Sequence, residues 1–472
     1  MKSYDVLILG SGPAGLELCY MLAGTGKSVC FIEKEEKSFG GACVNYGCMP
    51  TKQQVQSAEF ALASTKANQF GVALGPAEID MKAIFQQKNG LIGHLSHVHK
   101  DMTPADKIYG HGRFISNEVI EVTTADGQIE QVRGDIILIG TGARPRLIPG
   151  IEIDGHVVCT SDDLLNNDTI PKRLLVVGGG VIGLEFASIY RAFGSDVTVI
   201  EAMSQLMPNE DADTGDLVQQ CLETRGIKVC VNTSLDQIRV KENLAECYFK
   251  GGNSGPETYD KVLIGIGRQP NTDNIGLENT DVEVEKGFIK VDDYLQTGVS
   301  HIYAAGDVIS TAMLAHTAVY EAMIISENLK NPKSKRYENK VTPRVVYSTP
   351  EIAATGLTEK EAQEQFDDIR VINFPLEMSP KAIISQETEG RVKLIYRAGC
   401  GTLIGANLIG KASTEVIHEL NLAVTCGLTV DELKNTVHAH PTMSESIWFA
   451  LLKGQPFQST AEWMTAMQEQ LH

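Results

Sequence analysis

One pattern occurs twice in this chain and leaves few folds open to it. Asp5-Val-Leu-Ile-Leu reads as a buried strand, Gly10-Ser11-Gly12-Pro13-Ala14-Gly15 as a tight turn into an apolar helix ending near Ala23, and Val29-Cys-Phe-Ile as a second strand closing on Glu33. Leu174-Leu-Val-Val, Gly178-Gly179-Gly180-Val181-Ile182-Gly183, Val197-Thr-Val-Ile and Glu201 repeat it, with the same interval from first glycine to acid. This βαβ arrangement holds dinucleotides. Its glycines let the backbone reach a pyrophosphate, the helix N-terminus offers amides and positive potential, and the acid accepts ribose hydroxyls. A lone G-x-G-x-x-G says little, but here the strand, helix and acid all follow. Gly10, Gly12, Gly15 and Glu33 are therefore candidate contacts to one dinucleotide, and Gly178, Gly180, Gly183 and Glu201 to a second. Two such units are expected of an enzyme passing hydride between a flavin and a nicotinamide. A duplicated domain with one vestigial site is the other reading.

The rest of the chain bounds the class. At 472 residues it is too long for one core, which predicts three or four domains. Beyond Pro343, Val345-Val-Tyr, Val371-Ile-Asn-Phe, Val392-Lys-Leu-Ile-Tyr and Leu403-Ile-Gly-Ala-Asn-Leu-Ile read as strands, and 359–366 and 414–426 as helices, an α+β unit. Residues 331–343 turn polar and basic and read as a linker or exposed loop. Lys+Arg 41 against Asp+Glu 60 gives −19, which argues against nucleic acid or an anionic membrane as partner, since both need a positive field. The first strand starts almost at residue 1, with an apolar core too short for a signal-peptide h-region, and no run approaches the ~18 apolar residues of a membrane span. A cytoplasmic protein is expected.

Cys43 and Cys48 are separated by four residues in Gly40-Gly41-Ala42-Cys43-Val44-Asn45-Tyr46-Gly47-Cys48-Met49-Pro50-Thr51-Lys52. In a reducing compartment such a pair is a catalytic redox couple, part of a zinc site, or two inert thiols. Zinc wants roughly four ligands, and no second Cys/His pair follows at a metal spacing. The other eight cysteines show no metal spacing either and read as core thiols, so no metal site is expected. His94, His97 and His99 read as a solvated helix face, a metal site being the alternative.

The segment G-G-x-C-x-N-x-G-C-x-P-[ST]-K resembles the active-site segment of the class I flavoprotein disulfide reductases, the family of dihydrolipoyl dehydrogenase, glutathione reductase and mercuric reductase. Further segments carry the resemblance. Thr297-Gly-Val-Ser-His-Ile-Tyr303-Ala-Ala-Gly306-Asp307 is similar to the second flavin motif. Ile139-Gly140-Thr141-Gly142-Ala143-Arg144-Pro145 and Gly265-Ile266-Gly267-Arg268-Gln269-Pro270-Asn271 resemble the crossovers between the flavin and pyridine-nucleotide domains, here taken as irregular. Tyr347-Ser-Thr-Pro350-Glu351 resembles the start of the dimerisation domain, and His438-Ala439-His440-Pro441-Thr442-Met443-Ser444-Glu445 the C-terminal H-x-H-P-T-x-S-E segment.

The resemblance implies an α/β fold with two Rossmann-like dinucleotide-binding domains and a C-terminal α+β dimerisation domain. Residues 1–150 would form the first part of the FAD-binding domain, 151–271 the NAD-binding domain, 272–340 a central domain completing the FAD site, and 341–472 the dimerisation domain. It implies Cys43 as the interchange thiol that meets substrate and Cys48 as the thiol against the flavin. His440 would be the base, supplied across a homodimer and oriented by Glu445, and His440-Pro441 is a candidate cis bond. Lys52 would carry charge near the flavin, paired with Glu185. FAD contacts would come from Asp307, Met313, Leu314, Ala315, His316, Gly112, Thr141 and Gly142 as well, with Gly267 at the second crossover.

Several positions select a branch of that family. A carboxylate at Glu201 accepts the 2′-hydroxyl of NAD and repels a 2′-phosphate, and no arginine follows it in Ala202-Met203-Ser204-Gln205-Leu206. The C-terminus lacks the vicinal cysteines of mercuric reductases. The chain thus resembles most the NAD-linked dihydrolipoyl dehydrogenases, which implies oxidation of dihydrolipoyl groups and a lipoyl domain of a 2-oxoacid dehydrogenase or related complex as partner. Ala42, Tyr46, Thr51, Val319-Tyr320 and the segment 378–382 depart from that pattern. An NADH-driven reductase of another disulfide, a metal ion or a quinone is the alternative, and an idle flavoprotein scaffold a third.

Overall fold

A computed structural model describes residues 1–251, 255–338 and 342–470. The first apolar run forms strand Lys2–Leu9, with Val6, Leu7 and Ile8 wholly buried. Burial on both faces is what a strand inside a parallel sheet requires, and it explains a continuous rather than alternating apolar run. The strand pairs in parallel with Val29–Glu33 on one side and Ile129–Ile139 on the other. The sheet order continues outward to Asp106–Tyr109 at one edge and through Val119–Thr123 to His111–Phe114 at the other.

Strand Ile129–Ile139 is long enough to serve two partners. Its first half pairs antiparallel with Val119–Thr123, and its last three residues pair in parallel with Ile302–Ala304. That late strand brings Gly306 and Asp307 to the C-terminal edge of the first sheet, and helix Ala315–Lys330 then packs against helix Pro13–Leu22 through one apolar core. In open α/β sheets ligands bind beyond the carboxyl ends of the strands.

The second sheet is wholly parallel, in the order Lys228–Cys230, Asp196–Ile200, Arg173–Val177, Lys261–Ile264, Val158–Cys159. An antiparallel meander, Ser234–Lys241, Leu244–Lys250 and Glu257–Tyr259, flanks it. The two crossover segments differ from their reading as irregular chain. Ala143–Pro145 and Arg268–Pro270 pair with each other antiparallel, so each supplies the hydrogen-bond partners that a lone extended segment would lack.

The C-terminal unit is a six-stranded antiparallel sheet in the order Arg344–Val346, Ile352–Gly356, Leu403–Ile409, Arg391–Arg397, Ile369–Pro375, Pro456–Phe457. Helices Ser413–Cys426 and Glu445–Lys453 bury Ile417, Leu420, Ala423, Ile447 and Ala450 in its core. Helices Ser161–Leu164, Glu359–Gln365 and Val430–Lys434 each start with a threonine capping box, an S/T-x-x-D/E pattern that satisfies two orphan backbone donors at once. In the basic stretch read as a linker, the Tyr337 amide donates to Asp293 O and Asn328 Nδ2 to Lys335 O, so its described part is tied to the body; 339–341 lie outside the described residues. Among the described residues no helix is long and apolar enough to cross a membrane.

Candidate functional site

The turn after the first strand is built by close approach. Gly10 has φ +100°, and a Cβ there would lie 2.3 Å from Gly140 O; Gly178 repeats this at φ +113°, 2.6 Å from Gly265 O. Each first turn of a βαβ unit thus rests on the start of a crossover. Space beside Gly12 and Gly180 is open. A Cβ on Gly15 or Gly183 would strike the carbonyl of Gly10 or Gly178, which is how these positions let helix and strand pack closely. Neither helix Pro13–Leu22 nor Val181–Ala192 has a side-chain cap, so their first amides keep free donors.

The acids close these turns from the other side. Glu33 Oε2 accepts from the Ser11 amide and hydroxyl at 2.9 and 2.7 Å. Glu201 Oε2 accepts from the Gly179 amide and Oε1 from the Met203 amide, both at 2.8 Å. A carboxylate has about four lone-pair sites, so each retains acceptors for a ribose.

The cysteine loop sits directly on the first turn, since a Cβ on Gly41 would lie 2.6 Å from Gly12 Cα. Cys43 lies in the short helix Gly41–Asn45, and Cys48 is the first residue of helix Cys48–Lys66. Asn45 Nδ2 fastens the loop by donating to Ser38 O, Phe39 O and Gly41 O, while the hydroxyls of Tyr46 and Ser38 bond at 2.5 Å. Both sulfurs are free thiols and half-buried. A hydrogen bond from Cys43 brings the Cys48 thiol down to about 7; burial opposes this and the Lys52 charge assists it. The same bond, with burial, pushes Cys43 up. Of the two thiols it is Cys48, beside the positive end of a helix, whose thiolate is favoured.

Lys52 lies one turn beyond Cys48 on the same helix, where i and i+4 side chains share a face. Its Nζ reaches both oxygens of Glu185 at 2.8 and 2.9 Å, and Glu185 is 4% exposed on helix Val181–Ala192. The Tyr347 amide donates to the same carboxylate at 3.0 Å, and the Tyr347 ring lies 4.7 Å from Lys52 Nζ.

At the far end of the chain, His440 Nδ1 lies 2.8 Å from Glu445 Oε2. Glu445 is buried at the start of its helix, whereas the His440 side chain is 66% exposed. A carboxylate accepting from Nδ1–H leaves Nε2 as the basic nitrogen. The His440-Pro441 bond is cis. Among the described residues no hydrogen bond joins His440 to either cysteine of its own chain. His438 has both nitrogens occupied, by Thr436 O at 2.9 Å and Glu419 at 2.7 Å, which leaves none for a metal.

Residues 4–322 match the profile of the pyridine nucleotide-disulphide oxidoreductases, and 342–451 match that of their dimerisation domain. The chain belongs to this family. It is 34% identical to the dihydrolipoyl dehydrogenase of Bacillus subtilis over 95% of its length and 97% of that protein's. It is 35% identical to the dihydrolipoyl dehydrogenase of Chlorobaculum tepidum, covering 94% and 95%. Among solved structures, the Cu(II) complex of the HOCl-induced flavoprotein disulfide reductase RclA from Escherichia coli superimposes with TM-score 0.85 at 31% identity, covering 96% of this chain and 99% of that one. LpdA from Mycobacterium tuberculosis superimposes with TM-score 0.87 at 27% identity, covering 96% and 99%. The protein is an FAD-dependent disulfide oxidoreductase that uses a pyridine nucleotide, and its dimerisation domain supports a homodimer.

The residues present fit the family's cofactors. The uncapped amides after Gly12, the open space beside that glycine and the adjoining cysteine loop suit FAD in the first groove; the same features at Gly180 suit the nucleotide of the second. Asp307 is half-buried at the first groove's edge; burial pushes its carboxyl up while Arg268, 3.7 Å away, pulls it down. Met313 and Leu314 lead into helix Ala315–Lys330, which also lacks a side-chain cap, and His316 bonds to Pro343 O at 2.8 Å. Thr141 Oγ1 donates to Asn271 O, tying the crossovers, with Gly142 and Gly267 beside them in open space. Gly112 is packed under the groove, where a Cβ would meet Leu9 and Ile32.

Four residues here were given no role by the sequence reading. Arg268 faces Asp307 and Tyr347 covers Lys52, although both lie inside segments already singled out. Asn45 lies between the cysteines. Glu321 is fully buried, accepting from the Gly306 amide and the Thr311 hydroxyl at 2.6 and 2.7 Å, and burial pushes it up to about 7. Its one signal is a glutamate one helical turn from Ala318 and Ile325. The three histidines of helix Met81–Met102 do not converge: His97 pairs with Asp101, and His99 with Tyr20. Among the described residues the one acidic cluster with ligand spacing is Asp211, Asp213 and Glu359, and the Lys393 ammonium occupies it.

Proposed function

We propose that this oxidoreductase is an NAD-dependent dihydrolipoyl dehydrogenase. Its first 150 residues and 272–340 would carry FAD, 151–271 would carry NAD, and 341–472 would form the subunit contact. The observation that supports the reading best is the placement of Cys43 and Cys48 on the loop seated against the Gly12 turn, with Cys48 opening helix Cys48–Lys66 and Lys52 one turn on. In the oxidised pair, a dihydrolipoyl thiolate attacks Cys43 Sγ, the Cys43–Cys48 bond breaks, and Cys48 leaves as thiolate. The second substrate sulfur then displaces Cys43, forming the lipoyl disulfide and returning the free dithiol form. His440 Nε2 takes the substrate proton, and Glu445 holds the ring and stabilises its cationic form. FAD, held by the Gly12 groove, would supply a two-electron acceptor for the dithiol, and NAD would be the final hydride acceptor.

Glu201, with no arginine following it, supports NAD over NADP. A lipoyl domain is the proposed partner and the cytoplasm the proposed compartment. Reduction of NAD by free dihydrolipoamide tests the reading: robust turnover is expected, and none by FAD-loaded protein would overturn it. The likeness to RclA, solved with Cu(II), favours a second reading, NADH-driven reduction of a metal ion or another disulfide. NADH oxidation with Cu(II) in place of lipoamide is its assay.

A further inference from the structure

Lys52, Glu185 and Tyr347 come from three different parts of the chain and meet at one carboxylate. Helix Cys48–Lys66 brings the ammonium, helix Val181–Ala192 the carboxylate, and the end of strand Arg344–Val346 the ring. The backbone that carries Tyr347 is pinned independently of its side chain. The Tyr347 amide donates to Glu185 and the Thr349 amide to Ser188 Oγ at 3.1 Å, both on one helix, while Arg344 binds Glu210 at 2.7 and 3.2 Å. The ring is thereby laid over Lys52 Nζ, 4.7 Å from its centroid. An aromatic face over an ammonium attracts it through the ring quadrupole and keeps water from its other side.

We infer that Tyr347 is a positioning residue for the redox pair, its ring covering one face of the Lys52 ammonium and holding that charge in place one helical turn from Cys48. The inference rests on the dithiol reading of Cys43 and Cys48. The ammonium is held on one side by Glu185 and covered on another by Tyr347, and one turn back along its helix lies Cys48. Screening by water weakens a charge's effect on its neighbour, and excluding water strengthens it. Lys52 is one of the groups that favour thiolate at Cys48. The charged and titratable groups around the ring and the pair are Lys52, Glu185, Glu351 and Glu415 on one side and Cys43, Cys48 and Asp307 on the other. Loss of the ring leaves every one of them in place, which makes Tyr347 the clean position to change.

The test is the pH titration, from pH 5 to 10, of the long-wavelength thiolate-to-flavin absorbance in the two-electron-reduced, FAD-loaded protein. The high-pH plateau reports flavin content and the midpoint reports the Cys48 thiolate. Tyr347→Leu is expected to raise the midpoint, lowering the absorbance at pH 6 relative to its own plateau by roughly three- to tenfold. Tyr347→Phe, which keeps the ring, is expected to superimpose on the parent. Tyr347→Met replaces the leucine variant if that protein does not retain FAD. An unmoved midpoint in the ring-less variant, or a phenylalanine variant that shifts as far, overturns the inference. A parent protein with no titration near neutrality overturns the dithiol reading instead, so the two failures are distinct.

Discussion

Lys393 offers the sharpest perturbation in the molecule. Its side chain is fully buried, with Nζ 2.9 Å from Asp211, 3.1 Å from Asp213 and 2.8 Å from Glu359. The cluster joins helix Ala212–Thr224 of the second dinucleotide-binding unit to strand Arg391–Arg397 and helix Glu359–Gln365 of the C-terminal unit. Lys393→Met keeps the stem and removes the charge, leaving three carboxylates whose oxygens lie within 4.8 Å of one another, with Arg391 still paired to Asp213. Breaking a buried ion pair at one partner costs about 3–5 kcal/mol. For a unit of 150–250 residues that is a fall in Tm of roughly 6–20 °C, read by scanning calorimetry on the FAD-loaded protein. The pH dependence carries the decisive sign. In the parent, burial alone would raise Asp213, but Arg391 and Lys393 outweigh it and hold the carboxyl below its usual range. A depressed carboxyl contributes stability above the unfolded pKa of about 3.9, lost as pH falls through the lower folded value. In the variant, protonating one crowded carboxylate relieves repulsion, so the Tm difference should shrink between pH 8 and 5. A difference under 2 °C, or one that widens on acidification, refutes the account.

Three further outcomes follow from the site. His440→Asn should lower turnover with dihydrolipoamide by roughly 10²–10⁴ while flavin content, read from visible absorbance, stays at the parent level; Glu445→Gln should lower it less, because Nδ1 keeps a partner. Gly41→Ala should yield protein depleted of FAD, since φ +67° and a Cβ 2.6 Å from Gly12 Cα both exclude it, whereas Gly142→Ala, at φ +66° but in open space, should cost only about 1–2 kcal/mol in denaturant melts. Glu201→Gln should raise KM for NAD and admit NADP, measured as the ratio of kcat/KM for the two coenzymes; an unchanged ratio would remove Glu201 from coenzyme choice.

Local chemistry was legible where a pattern repeats within a few residues. The two glycine turns, the acids at Glu33 and Glu201 and the cysteine loop each declare themselves over short windows, because turn geometry and helix entry are set by neighbours in sequence. Four strands of the six-stranded C-terminal sheet were readable for the same reason, while Ile352–Gly356 and Pro456–Phe457 were not. The antiparallel pairing of Ala143–Pro145 with Arg268–Pro270 was not, since each segment alone is three residues of extended chain and only the partner makes it a strand. Lys393 shows the same limit for charge. Nothing in Arg391-Val-Lys393-Leu marks a buried ammonium, because the three carboxylates that tolerate it come from two other elements.

The redox pair illustrates how the two scales combine. Cys48 gains its helix N-terminus and Lys52 from its own segment, contributions that spacing alone reveals. The position of the Lys52 charge, however, is set by residues far along the chain. Glu185 takes the ammonium with both oxygens, and the Tyr347 ring covers one of its faces. Motion of the second dinucleotide-binding unit or the C-terminal unit relative to the first would therefore be felt as a change in thiolate character at Cys48. At this carboxylate the first unit, the second dinucleotide-binding unit and the C-terminal unit meet one helical turn from Cys48.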